Sequence, residues 1–290
     1  MAWRDGWRAK AKAFWDTTVP LHAVFGLSAT WAAAFLAAGG SPGARALFWI
    51  TVALVFGRAA GFGVNRVIDA ALDARNPRTR SRPIPTGRLT RGETLAFSAA
   101  CLLVLAVAAW ELNPYTLLFF PLAVAGLVVY PYGKYYSWTC HFWQVWPQTC
   151  GPLGAWLALR GDFAAPGLAF SLGYGLWVAA SDILYHAGDR PFQLAAGVHS
   201  APADLGLPRA LWLARATHVA SLALMAAAGA MLHVGAPYWW FLLAAAALLV
   251  FQHAQVSPQG ATVARSVFAF NTNAVAGPLL VLAALLGVAR

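Results

Sequence analysis

Nine stretches of this chain, at approximately 19–38, 46–67, 94–110, 115–130, 142–159, 168–184, 211–232, 238–252 and 267–288, are predominantly apolar. A helix needs about 17–25 such residues to cross a bilayer, so each stretch reads as a membrane span, 238–252 being the shortest. The first is preceded by a 15-residue amphipathic, basic segment without a cleavage signature, and is expected to be a retained span. Composition agrees: only 10% of residues are charged and the mean hydropathy is +0.61. A soluble domain carries roughly 25% charged residues, so this chain cannot cover itself with polar groups in water. The expected fold is an all-α integral membrane protein of nine transmembrane helices. One membrane domain, 1–290, accounts for the whole sequence.

The net charge of +10 could suggest a nucleic-acid partner, but its distribution argues against one. With the N-terminus in the cytoplasm, cytoplasmic segments hold sixteen of the twenty Lys and Arg residues. Arg45, Arg160 and Arg290 are left on the opposite face, and Arg58 falls within the second span. That asymmetry is the positive-inside pattern, so the expected location is the inner (cytoplasmic) membrane. Cys101, Cys140 and Cys150 show no CxxC spacing and read as small packing residues.

The longest polar connections, 74–93 and 189–209, follow the second and sixth spans. Four spans separate them, so they emerge on the same face and can converge as cytoplasmic caps. The layout suggests two pseudo-repeated four-helix units plus a ninth helix, with acids at the end of the second helix of each unit. The first cluster is "NRVIDAALDARNPRTRSRPIPTG", residues 65–87. On a helix, positions four apart differ by about 40° in azimuth and about 6 Å in height. Asn65, Asp69 and Asp73 therefore form one polar stripe, with Arg58 on the same face. The second cluster, "SDILYHAGDR", places Asp182, Tyr185 or His186, and Asp189 on a shared face by the same spacing.

Carboxylates at membrane depth are costly and face a protein interior or an aqueous cavity. Two such clusters facing each other repel unless a cation lies between them. Hard oxygen ligands favour Mg²⁺, which keeps waters and bridges to substrate phosphates. Arginines suit phosphate oxygens, which their planar fork binds bidentately. Acids for a metal and bases for an anion, in a lipid-embedded chain, describe a site for a lipid diphosphate. The rival reading is a transporter or channel with a cation pathway. That class places acids near the midplane in broken helices, whereas these lie at span ends.

At these residues the sequence resembles the UbiA superfamily of membrane-embedded polyprenyl transferases. The family's NxxxDxxxD motif stands as Asn65, Asp69 and Asp73, and its RPxPxG segment as Arg82 to Gly87. Its DxxYxxxD motif stands as Asp182, Tyr185 and Asp189. Lys134, after "YPYG", matches a basic residue ending span four, and Asn273 a polar position in the last span. Further pieces, "LHAVFGL", "DILY" and "GVHSAPADLG", are similar to the branches acting in menaquinone synthesis and on 4-hydroxybenzoate. The sequence departs from the family at Gln193, where an acid is common, and at Tyr135, where a basic residue usually follows the lysine. Span five is also unusually polar and aromatic.

The resemblance implies a nine-helix fold and Mg²⁺-dependent transfer of a polyprenyl group from its diphosphate to an aromatic acceptor acid of hydroxybenzoate or dihydroxynaphthoate type. It implies that Asn65, Asp69, Asp73, Asp182 and Asp189 hold the metal. Arg78, Arg82 and Lys134 are expected on the diphosphate, with Arg66 and Arg190 as weaker candidates. Tyr185 either orients a carboxylate, touches the acceptor or packs at a helix end. His22 and His141 are candidates for hydrogen-bonding the acceptor, and His199 for a cap over the site. Asn273 either joins helices or lines the pocket.

Overall fold

The computed structural model describes residues 2–18 and 20–289, and the backbone alone for 2–5 and 20–22. All regular structure among the described residues is helical. In chain order the helices are α1 (Ala2–Thr18), α2 (Pro20–Ala38), α3 (Ala44–Ile68), α4 (Ala70–Arg75) and α5 (Arg91–Leu112). Next come α6 (Pro114–Val129), running into a 3₁₀ turn at Tyr130–Tyr135, then α7 (Cys140–Trp143), α8 (Val145–Arg160) and α9 (Ala165–Ala187). The remainder are α10 (Arg190–Ala196), α11 (Ala201–Asp204), α12 (Leu207–Met231), α13 (Ala236–Gln255), α14 (Val263–Asn271) and α15 (Asn273–Val288).

Helix starts are written in the sequence. Thr90 and Glu93 form a reciprocal capping box at the start of α5. Asn113 and Thr116 do the same for α6, with Pro114 in its first turn. Such caps satisfy backbone N–H groups that have no partner within the helix, at about 1 kcal/mol each.

Seven helical segments are long and apolar enough to cross a membrane: 44–68, 91–112, 114–135, 165–187, 207–231, 236–255 and 263–288. An eighth is added if 6–18 and 23–38, bent by 59°, count as one broken span. The expected count of nine is thus not reached by length and composition among the described residues. The shortfall is at 142–159, where the chain forms α7 and the 16-residue α8 around a break at Gln144. Pro147 accounts for the break. Its ring opposes the carbonyl four residues back, at Trp143, and it has no N–H to donate. The short stretch 238–252, by contrast, extends into the 20-residue α13.

The chain is a multi-pass membrane protein. Leu103, Leu118 and Val250 point outward as lipid-facing side chains. Exposed Trp110 and Trp240 mark one end of the bundle, and Trp7, Trp15 and Trp212 the other, as tryptophans do at membrane interfaces. Lipid removes much of the hydrophobic drive between helices, so close packing of small residues takes its place. At Gly167 a Cβ would lie 2.3 Å from the Trp156 ring, and at Gly229 one would lie 2.5 Å from Tyr238. The centre of the bundle is α9, which packs on α8, α12 and α14; 72% of its apolar window is buried, against 28% for α3. α3 leans on α5 and leaves one face to a cavity. The ends of α3 and α9 lie together, which brings both acidic clusters to one end of the bundle.

Candidate active site

The first acidic stripe survives a break in its helix. α3 ends at Ile68 and α4 begins at Ala70, yet Asp69 N–H still donates to Asn65 O at 2.9 Å, and Asp73 N–H to Asp69 O at 2.8 Å. The four-residue spacing is therefore kept, and Asn65, Asp69 and Asp73 are all buried on one side. Carboxylates about 6 Å apart repel by about 3 kcal/mol at an effective dielectric near 20. Bases from neighbouring segments relieve that repulsion. Lys134 Nζ donates to Asp69 Oδ2 at 2.5 Å, and Tyr135 Oη to Asp69 Oδ1 at 3.1 Å. Arg82 Nη1 donates to Asp73 Oδ1 at 2.6 Å. Asp73 Oδ2 is buried without a partner. Arg66 turns back to Asn65 Oδ1 at 3.1 Å and stacks 5.4 Å above the Phe62 ring.

Arg78 joins the two clusters. Its Nε donates to Asp189 Oδ2 at 2.8 Å and to Oδ1 at 3.1 Å, and its Nη2 also pairs with that carboxylate. Its Nη1 donates to Tyr185 Oη at 2.5 Å, with the guanidinium 4.7 Å from the ring centre. The two long polar loops do converge, across 111 residues of sequence. Tyr185 is thereby placed on Arg78, and also packs against Phe270.

Asp182 is held differently. His141 Nδ1 lies 2.7 Å from Oδ2, and His186 Nε2 lies 3.5 Å from Oδ1. His141 comes from α7, the product of the break that Pro147 imposes. Its Nε2 accepts from the Ala201 N–H at 3.2 Å, so the imidazole proton sits on Nδ1 and faces Asp182.

Asn65, Arg66, Asp69, Asp73, Arg78, Arg82, Lys134, His141, Asp182, Tyr185, Asp189, His199 and Asn273 all line one cavity of about 470 Å³. Its polar end holds the four carboxylates and their bases. Its walls continue along α3, α5 and α6 past Phe62, Leu127, Leu105 and Phe119 to Ile50 and Leu112. From Asn65 to Ile50 the helix rises about 22 Å, so the cavity reaches most of the way through the apolar layer. Asn273 lines the cavity and also joins helices, since its Oδ1 accepts from Trp177 Nε1 and Gln252 Nε2, both at 2.9 Å.

Two expected residues are not brought into this arrangement. Arg190 is absent from the lining; its Nε donates to Pro202 O at 2.8 Å and fastens the 198–204 segment instead. The side chain of His22 lies outside the described residues. Residues to which the sequence assigned no role at the site also contribute. Arg58 lines the cavity deeper than Asn65, with its Nε buried and unpartnered and its guanidinium 5.1 Å from the Phe62 ring. An arginine midway along an apolar span is itself a signal, because charge there is costly unless something uses it. Tyr130 and Tyr174 share that wall.

The donor set suits a metal carried by a substrate better than a preformed metal cage. Among the described residues no three His, Cys, Asp or Glu side chains converge closely enough to hold an ion by themselves. The unpartnered Asp73 Oδ2 is free to coordinate, and the remaining carboxylate oxygens are matched to bases that anionic oxygens could recruit, apart from Asp69 Oδ1, which takes the Tyr135 hydroxyl.

An all-helical membrane bundle with a cavity that is charged at one end and apolar along its length is the class of protein defined here. The chain belongs to the UbiA prenyltransferase family, whose pattern matches residues 26–275. It is 30% identical over 261 residues to a 4-hydroxybenzoate octaprenyltransferase of Photobacterium profundum, covering 84% of this chain and 85% of that one. The apo structure of a UbiA homolog from Aeropyrum pernix K1 matches with a TM-score of 0.80 at 28% identity, covering 89% and 95% of the two chains. A UbiA homolog from Archaeoglobus fulgidus, bound to DMAPP and Mg²⁺, shares the fold with a TM-score of 0.69 at 17% identity, covering 92% and 98%. The chain is a prenyltransferase.

Proposed function

We propose that this enzyme transfers a polyprenyl group from its diphosphate to the ring of an aromatic hydroxy acid, with Mg²⁺, as a step in quinone synthesis. The observation that carries this reading is the cavity itself. Four carboxylates with matching bases stand at its polar end, and the apolar tunnel behind them contains Arg58, whose buried Nε has no partner. The names and ligands of the relatives above support the same assignment.

Bound Mg²⁺ supplies positive charge against the diphosphate oxygens as the leaving group separates. Asn65, Asp69, Asp73, Asp182 and Asp189 would hold it. Lys134, Arg78 and Arg82 are paired with those acids in the structure. Turned from those acids to the diphosphate, the same bases would stabilise it as the allylic C–O bond breaks. The bonding pair leaves with the diphosphate oxygen, the ring carbon attacks the allylic carbon, and the ring gives up its proton. The aromatic and aliphatic walls keep water from the allylic cation. Arg58 is the natural partner for the acceptor's carboxylate, because an arginine binds a carboxylate through two parallel hydrogen bonds. The whole chain, 1–290, acts as one unit of nine membrane-crossing segments, α8 completing the set. The charged loops face the cytoplasm, in keeping with the distribution of bases.

Mass spectrometry tests this directly. Purified protein with Mg²⁺, prenyl diphosphates of several lengths and a panel of aromatic acids should yield an acid heavier by the prenyl group less one hydrogen. The panel includes 4-hydroxybenzoate and dihydroxynaphthoate. If no acid is prenylated with any donor, the reading is wrong.

A further inference from the structure

We infer that Gly154 is a specificity-determining residue, because it leaves the far end of the tunnel open to the tail of the prenyl donor. This deepens the proposed function and rests on it. Among the described residues five glycines line the cavity: Gly26, Gly57, Gly61, Gly151 and Gly154. At the first four, a Cβ would lie between 2.9 and 3.5 Å from Arg58, Leu105, Leu127 and Thr30 respectively. At Gly154 a Cβ would meet nothing within 4 Å. Close approach of a neighbouring helix, the usual reason for a glycine in a span, is therefore missing there. Glycine also weakens a helix relative to alanine, so neither packing nor helix stability accounts for it. What the glycine does is keep space empty.

The level of that space follows from the helices. α8 starts beside His141, at the polar end, and runs away from it. Gly151 faces Leu54, to which a Cβ would come within 3.2 Å. Three further residues carry Gly154 about 4.5 Å deeper, close to the level of Ile50, which lines the same cavity. Ile50 lies about 22 Å from Asn65 along α3. An isoprene unit adds four chain bonds of about 1.5 Å, so an extended chain advances about 5 Å per unit. About four units therefore reach from Asn65 to this level, and the fourth comes opposite Gly154. The wall here is apolar even where its side chains carry hydroxyls. Thr116 Oγ1 donates to Ala109 O and Thr30 Oγ1 to Gly26 O, both at 2.8 Å, so these hydroxyls are spent on backbone. Such a wall suits hydrocarbon, whereas a carboxylate or phenol placed against it would lose its hydrogen bonds.

Calorimetric titration of the purified full chain with Mg²⁺ and prenyl S-thiolodiphosphates of 10, 15 and 20 carbons reads donor length without turnover. The parent should bind the 20-carbon analogue at least as tightly as the 10-carbon one, and weaker binding overturns the inference. Gly154→Leu should lower the 20-carbon affinity relative to the 10-carbon affinity by at least about tenfold, since one methylene denied its pocket already costs about 10- to 200-fold. Gly154→Ala, which strengthens the helix, should shift the ratio in the same direction by a smaller factor. An unchanged ratio in both variants means that the tail runs elsewhere, and overturns the inference. Steady-state kinetics with a 10-carbon donor supply the second reading. A raised KM for the aromatic acid in Gly154→Leu would put the acceptor, and not the tail, at this position, and also overturns it. If the parent binds none of the analogues, the proposed function itself fails. If it binds them all and the variants do not discriminate by length, only the assignment of Gly154 is lost.

Discussion

Asp69 and Asp73 are restrained by Lys134 and Arg82, full charges on long flexible stems, with side chains about a quarter exposed. Asp182 is restrained by the His141 imidazole, whose second nitrogen is itself fixed by Ala201 N–H, with the His186 ring 3.5 Å away and in turn meeting Gln193. The helices beneath differ in burial rather than in access: both border the cavity, but α9 is enclosed at the bundle centre whereas much of α3 is not. The first half therefore offers exchangeable partners: a base on a flexible stem can leave its acid and turn to an incoming anion. The second half offers a fixed abutment. Arg78 belongs to the first half and grips Asp189 in the second, so it couples the two.

The largest effects come from removing one carboxylate from each half. Asp69→Ala and Asp182→Ala are each expected to cut turnover by at least roughly 1000-fold, or about 4 kcal/mol of transition-state stabilisation. Thermal stability, followed by unfolding of the purified protein, should stay near that of the parent. Near-normal turnover by either variant would mean that one half is not part of the chemistry.

A sharper division follows for the bases. Arg82→Ala should lower kcat/KM for the prenyl diphosphate by about 10- to 150-fold, as expected for a charge-assisted contact of about 1.5–3 kcal/mol. Arg58→Leu should raise KM for the aromatic acid by a similar factor and leave donor KM within about twofold. Steady-state kinetics with each substrate varied at saturating partner separate the two. If Arg58→Leu impairs only the donor, the acceptor is not where we place it.

The smallest effect is expected at Tyr135, whose hydroxyl gives one neutral hydrogen bond to Asp69. Tyr135→Phe should cost about 0.5–1.5 kcal/mol, seen as a roughly two- to tenfold loss in affinity for the donor–Mg²⁺ pair. A loss as large as that of Asp69→Ala would show that Tyr135 touches substrate rather than steadying the acid.

The sequence alone determined what depends on local chemistry. Charge scarcity made the chain a membrane protein, because too few polar groups exist to cover it in water. Four-residue spacing placed Asn65, Asp69 and Asp73 on one stripe, and the backbone hydrogen bonds keep that spacing through the break at Asp69. Counting crossings put the two polar loops on one face, and Arg78 on Asp189 shows them meeting. Tertiary structure decided everything that depends on which side chains meet across long separations. Arg190 sits beside Asp189 in sequence yet turns to Pro202, while Arg78, 111 residues from Asp189, takes the place on the carboxylate. Gln193 and Tyr135 read as departures from a pattern, and only folding revealed them as hydrogen-bond partners to His186 and Asp69. Helical periodicity tells which face a residue occupies. It carries no information about which helix that face will meet, because that is settled by the packing of small residues against large ones throughout the bundle.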